Sequence, residues 1–258
     1  MSEISSPVKG TRPEGATTEA EASKKVREMF TEIAPSYDAL NHILSLQIDR
    51  VWRSRLARRL LPVLARPDAI ALDLCCGTGD LALAMRKSGR ARIIGVDFAH
   101  PMLVRARRKS IKGRSHSGMP GPSPLPLFEA DALRLPFAEG SLDLVATAFG
   151  FRNLANYEAG LREIYRVLKP DGVMAILEFS EPPDGFLGDA YRWYFTRALP
   201  KIGRLISGHQ SAYAYLRKSV ARFLRPPELA ALMTSVGYRS VDFHEWTMGT
   251  VALHTATR

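Results

Sequence analysis

Cysteine is nearly absent from this chain: of 258 residues only Cys75 and Cys76 carry a thiol, side by side in "LDLCCGTGD". Consecutive Cα atoms lie about 3.8 Å apart, nearer than a bridged pair ordinarily sits, so no disulfide framework is available. A second cysteine pair is missing and no histidine stands at ligand spacing nearby, which argues against a zinc site. Such usage fits a reducing cytoplasm. Long apolar runs are also missing; no stretch of about 18 hydrophobic residues predicts a membrane-spanning helix. Acidic residues are scarce, 26 against 36 Lys and Arg, for a formal charge of +10. That excess points to an anionic partner, whether nucleic acid, lipid headgroups or an acidic substrate.

The length suits one large domain with additions. Residues 1–22 are rich in Ser, Thr, Glu, Gly and Pro, lack the apolar core of a signal peptide, and read as a disordered tail. A single domain is expected over 23–258. From Ser23 to Leu64 the pattern is helical, with Val26, Met29, Phe30 and Ile33 on one face. Strand and helix patterns then alternate through "AIALDL", "DLALAMRKS", "RIIGVDF", "PMLVRARRKSI", "LPLFEAD", "LDLVATAF", "NYEAGLREIYRVL" and "GVMAILEFS". Apolar, β-branched strands separated by helices imply an α/β fold, a doubly wound and mostly parallel sheet covered on both faces. Residues 23–66 are expected as N-terminal helices forming a lid, 67–180 as the core, 181–225 as a helical cap, and 226–258 as a final helix and antiparallel hairpin turning at Met248-Gly249. The Gly/Pro/Ser stretch 112–126 reads as a peripheral loop.

In an open α/β sheet the first strand-to-helix turn meets the ligand, and Gly77 and Gly79 lie in it. "GTGDLA" also satisfies the loose dinucleotide pattern, with Asp97 where a ribose-binding acid belongs. Three features favour S-adenosylmethionine instead. Asp73, inside an apolar strand, suits a cofactor with a cationic amino group. Asp131, ending the third strand, is placed to accept from an adenine amino group while the Ala132 N–H donates to the ring. The terminal hairpin breaks an otherwise parallel sheet, which a plain dinucleotide-binding domain does not require.

The pattern of "LDLCCGTGD", "GVDF", "ADALRLPF" and "LKPDG" resembles a class I methyltransferase with a Rossmann-like sheet. "FTEIAPSYDALNHILSLQIDRVWR", "FGFRNL", "YRVLKPDG", "ILEFSEP", "YAYLRKSV" and "TVALH" further resemble the menaquinone and ubiquinone biosynthesis C-methyltransferase family, from about Val26 onward. The resemblance implies cofactor contacts at Thr78, Asp97, Asp131 and Ala132, and at Ala148, where a methyl group replaces the hydroxyl of some relatives. Asp171 stands where many relatives carry glycine. The implied reaction is carbon methylation of a prenylated quinol, demethylmenaquinol or a methoxy-polyprenyl-benzoquinol.

Methyl transfer from a sulfonium needs alignment, a dry site and control of the acceptor's proton, but no covalent nucleophile. The expected acceptor site follows the fourth strand: Arg152 to stabilise an oxyanion, Asn153 to orient a hydroxyl, and Phe149 to stack on the ring or line the cofactor pocket. Tyr37 and Asp38 belong to the lid, with Asp38 a candidate base acting through water, and His209 a second proton acceptor in the cap. Expected partners are the quinol, an anionic membrane surface touched peripherally from the cytoplasm, and a second copy of the chain in a homodimer, with no nucleic acid. The segment "ATAFGFRNL" lacks the residues that hold an exocyclic amine and the Pro-Cys nucleophile of cytosine methylation. A dinucleotide-dependent oxidoreductase and a non-catalytic scaffold are the remaining alternatives.

Overall fold

In the computed structural model, residues 10–35, 37–38, 47–112, 123–180 and 210–258 are described. Seven strands form one sheet in the order β3-β2-β1-β4-β5-β7-β6. They are β1 (Ile70–Leu74), β2 (Arg92–Asp97), β3 (Leu127–Glu129), β4 (Leu142–Ala148), β5 (Leu168–Phe179), β6 (Arg239–Trp246) and β7 (Val251–Thr257). The first five pair in parallel, while β7 runs antiparallel to both β5 and β6. The order reverses at β1, which lies between β2 and β4, and this reversal opens a crevice at the strands' carboxyl ends.

The central strands read as unbroken apolar runs because both faces are covered. One face packs under α2 (Ile48–Arg59), α3 (Leu61–Leu64) and α4 (Asp80–Ser88), with Leu56, Leu64 and Met85 fully buried. The other packs under α6 (Tyr157–Val167) and α8 (Pro226–Val236), through Leu161, Ile164, Leu229 and Met233. A smaller cluster joins α1 (Glu19–Ile33) to α5 (His100–Lys112): Ile33, Ala34, Ala99 and Met102 pack with Phe30, Tyr37 and Phe98. This third cluster hangs the N-terminal helix beside the crevice. Of the expected cap, α7 (Gln210–Arg222) lies among the described residues.

Helix α1 starts earlier than composition suggests. Thr18 accepts from the Glu21 N–H and Glu21 accepts from the Thr18 N–H, a reciprocal capping box, and Ala22 is buried. Upstream, the Thr11 N–H donates to the Leu154 carbonyl at 2.8 Å. Gly10 passes so close to Ala155 that a Cβ would fall 2.2 Å from its carbonyl carbon. Residues 10–22 are therefore structured, a correction to the expected tail; the Thr-x-x-Glu signal lay hidden in polar composition. The β6–β7 hairpin turns through Thr247, Met248 and Gly249, all at positive φ. Asp171, where relatives carry glycine, has φ +61°, a conformation that Asp adopts more readily than most side chains.

Candidate active site

The loops leaving β1, β2 and β4 enclose a cleft of about 670 Å³ measured out to its open mouth. Cys75 and Gly77 line it after β1, Asp97 and Phe98 at the end of β2, and Asp131 and Ala132 after β3. Phe149, Gly150 and Asn153 line it after β4, and Phe30 and Tyr37 close the side formed by α1. Cys75 and Phe149, at the ends of neighbouring strands, both take left-handed backbone conformations, φ +54° and +64°. Such strain in non-glycine residues concentrates at ligand sites. Gly150 is required by crowding: a Cβ there would lie 2.4 Å from the Cys75 Cβ.

Asp97 carries the cleft's buried carboxylate. Its Oδ2 accepts from the Gly77 N–H at 2.8 Å and its Oδ1 from the Ala99 N–H at 2.9 Å. Burial nevertheless pushes its carboxyl up to about 6, against those amide hydrogen bonds. Asp131 is exposed on the rim and accepts from the Leu133 N–H at 2.9 Å, so it both shapes its turn and faces the cleft. Phe149 is held in an aromatic group, 4.6 Å from Phe179 and 5.8 Å from Trp52 between ring centroids. Asn153 accepts from the Tyr215 hydroxyl at 3.0 Å, which fixes its amide at the wall.

A model of the ubiE/COQ5 methyltransferase family matches residues 18–258. The chain belongs to that family. The demethylmenaquinone methyltransferase of Thermus thermophilus is 47% identical over 231 residues, covering 89% of this chain and 100% of the relative. That of Deinococcus radiodurans is 43% identical over 218 residues, covering 83% and 85%. A ubiquinone/menaquinone biosynthesis C-methyltransferase from Geotalea daltonii is 38% identical over 240 residues, covering 92% and 98%. Among solved structures, a SAM-dependent methyltransferase from Thermotoga maritima shares the fold with a TM-score of 0.61 at 18% identity, covering 89% of this chain and 98% of the other.

Several expected site residues sit away from the cleft. Asp73 is buried behind the glycine turn, where its Oδ2 accepts from the Ala82 N–H at 2.7 Å and caps the first turn of α4. It does not line the cleft, and its partner in the fold is the Ala82 amide of α4. Ala148 packs into the core beside the aromatic group. Gly79, at φ +84°, opens α4, and a Cβ there would come 3.1 Å from the Ala106 Cβ. Thr78 is buried and its hydroxyl is engaged on both sides, donating to Asp38 at 2.6 Å and accepting from Lys109 at 2.8 Å.

Arg152 is likewise turned away. It is buried, and its Nη1 donates to Glu178 Oε2 at 2.9 Å and to the Phe149 carbonyl. It does not line the cleft; its guanidinium braces the turn after β4 against β5. Asp38 is bound by Thr78 and Lys109 and does not line the cleft, so its expected role as base lacks a geometric footing. His209 lies outside the described residues. Sequence reasoning missed Glu178 and Lys109. Glu178 was legible as a carboxylate inside the apolar strand "AILEF", the same signal that singled out Asp73.

Cys75 lines the cleft and Cys76 is buried behind it. Burial first, then the neighbouring carboxylates, push both thiols well above their usual range, so neither is a thiolate near neutral pH.

Proposed function

We propose that this protein methylates a ring carbon of a prenylated quinol, demethylmenaquinol before a methoxy-polyprenyl-benzoquinol, with S-adenosylmethionine as donor. The observation that carries the reading is one cleft that brings a carboxylate and an aromatic surface together: Asp97 and the Gly77 turn line it along with Phe149 and Asn153. Near full-length relatives named demethylmenaquinone methyltransferase support the substrate. The residues fit the donor: a buried carboxylate suits a pair of ribose hydroxyls, and the rim at Asp131 and Ala132 offers an acceptor and a backbone donor to a purine edge.

S-adenosylmethionine, when bound, would supply a methyl group on a sulfonium, its carbon–sulfur bond breaking as the ring carbon forms the new carbon–carbon bond and the ring proton passes to solvent. Asp97 anchors the donor side. Phe149 offers a flat apolar face to the ring, held in place by Phe179 and Trp52. Asn153, fixed by Tyr215, orients a ring hydroxyl, while Phe30 and Tyr37 exclude water. Arg152 and Glu178 hold the wall itself.

The surface supports a membrane-bound acceptor. Ile48 and Val51 on α2 and Met248 in the β6–β7 turn are exposed, with Arg50, Arg55, Arg58 and Arg59 around them. The two elements are joined by the Trp52 Nε1 bond to Thr247 at 2.8 Å and by Arg55 stacked on Trp246. The same Trp52 touches Phe149, so an isoprenoid tail leaving the aromatic wall has a short path to this apolar, basic face. Among the described residues no helix is long and apolar enough to cross a membrane. An anionic bilayer, met peripherally, is the occupant this face suits.

The test offers methyl-labelled S-adenosylmethionine with demethylmenaquinol, a methoxy-polyprenyl-benzoquinol and RNA in parallel. Label in menaquinol is expected. Label only in the benzoquinol would move the acceptor to that ring, and label only in RNA would overturn the reading.

A further inference from the structure

Lys109, on α5, lies outside every expected site, in a run of basic residues that reads as a solvated face. Its side chain is instead about three-quarters buried, with the ammonium in a compact polar cluster. It donates to Asp80 Oδ1 and Thr78 Oγ1, each at 2.8 Å, and forms an ion pair with Asp38 Oδ1 at 2.8 Å. Thr78 completes the cluster by donating to Asp38 Oδ1 at 2.6 Å. These four side chains come from three places: the segment after α1, the glycine turn with the start of α4, and the last turn but one of α5. Among the described residues Lys109 is the cation paired with both carboxylates; without it Asp38 and Asp80 would be left near each other as like charges.

Tyr37, next to Asp38, lines the cleft and stands close to the glycine turn: a Cβ on Gly77 would lie 3.7 Å from Tyr37 Cε1. Whatever holds Asp38 therefore also sets the Tyr37 wall.

We infer that Lys109 is a positioning residue: its three-way contact with Asp38, Asp80 and Thr78 clasps the Tyr37–Asp38 segment onto the glycine turn and so retains the cofactor in the cleft. The inference rests on the cleft taking S-adenosylmethionine. It gives Asp38 a role as the clasp's anchor on the lid side. Asp80, bonded to Lys109 from the first residue of α4, steadies the ammonium without touching the lid segment. The clasp is partly solvated, at about a quarter exposure for each partner, so it is open to screening by salt.

The experiment measures S-adenosylhomocysteine dissociation by stopped flow and KM for S-adenosylmethionine in Lys109→Met, Lys109→Arg and the unaltered chain, at low salt and at about 0.5 M salt. Lys109→Met is expected to speed dissociation about ten-fold at low salt and to raise KM by more than it lowers kcat. Lys109→Arg restores most of the retention. High salt accelerates release from the unaltered chain but leaves Lys109→Met unmoved. A generally damaged fold would not give that salt pattern, and Asp38→Asn, which keeps a hydrogen-bonding oxygen but removes the charge, should reproduce it. Dissociation and KM in Lys109→Met equal to those of the unaltered chain would overturn the clasp while leaving the cofactor assignment intact. An unaltered chain that binds no S-adenosylhomocysteine would overturn both.

Discussion

Glu178 on β5 accepts from Arg152 three times: from the backbone N–H at 3.1 Å and from Nη1 at 3.2 and 2.9 Å. Both side chains are sealed from solvent, at 1% and 7% exposure. The pair ties the turn after β4 to the adjacent strand, and the Phe149 carbonyl is drawn into the same guanidinium. A buried charge with its partner removed is costly, so Arg152→Ala should lose about 3–5 kcal/mol of folding stability, read from urea unfolding. Glu178→Gln, which keeps an acceptor but strands the guanidinium, should lose a similar amount. Equal stability of Arg152→Ala and the unaltered chain, with turnover abolished, would return Arg152 to direct contact with the substrate.

Asp97 yields a pH prediction. Its carboxyl sits at about 6 because burial opposes the charge, and two hydroxyl donors of a bound ribose need the ionised form. Cofactor affinity is then fully present above about pH 6 and is lost on acidification. Calorimetry should show the Kd for S-adenosylhomocysteine rising about ten-fold for each unit below that point. In Asp97→Asn affinity is weak throughout and nearly flat over the same range. A profile in the unaltered chain that is level from pH 7 to pH 4.5 would remove Asp97 from the ribose contact.

The elements that could be read from sequence are those whose reasons are local. Strands β1, β2 and β4 announce themselves as short β-branched runs, α4 begins and ends within its own motif, and the glycine turn with Asp97 follows from strand-end chemistry. What could not be read depends on partners distant in the chain. Lys109 in "RARRKS" looks like any solvated lysine until residues 38, 78 and 80 are brought to it. Arg152 looks like an oxyanion ligand until Glu178, 26 residues on, occupies it. Asp73 shows the same limit from the other side: a carboxylate in an apolar strand does need a partner, and the one it has in the fold is an amide of α4.

The crowding between β1 and β4 can be tested by a pair of substitutions. Cys75→Ala and Cys76→Ala should retain methyl transfer, because neither thiol ionises near neutral pH. Gly150→Ala should cost about 1–3 kcal/mol or more, since the new methyl would lie 2.4 Å from the Cys75 Cβ. Cys75→Ala cannot relieve that clash because alanine keeps the Cβ. Cys75→Gly can, and glycine also adopts the φ of +54° at that position without strain. The double variant Cys75→Gly, Gly150→Ala should therefore be more stable than Gly150→Ala alone in thermal unfolding. Additive losses would show that the strain lies elsewhere.

Asp73 governs how stability itself responds to pH. Burial pushes its carboxyl up to about 8 in the folded chain, above the value of about 3.9 in an unfolded one, with the Ala82 N–H bond pulling the other way. Between those limits the folded state keeps a proton that the unfolded state releases. This contribution to stability is complete below about pH 4 and drains away as pH rises through about 8. Asp73→Asn stays neutral and keeps an oxygen for the Ala82 N–H, so its folding free energy should fall less between pH 5 and pH 8 than that of the unaltered chain. The comparison of interest is the difference between the two slopes in denaturant titrations, which cancels the other titrating groups. Parallel slopes would mean that Asp73 is ionised in the fold, its charge held by Ala82 and the remaining amides of α4.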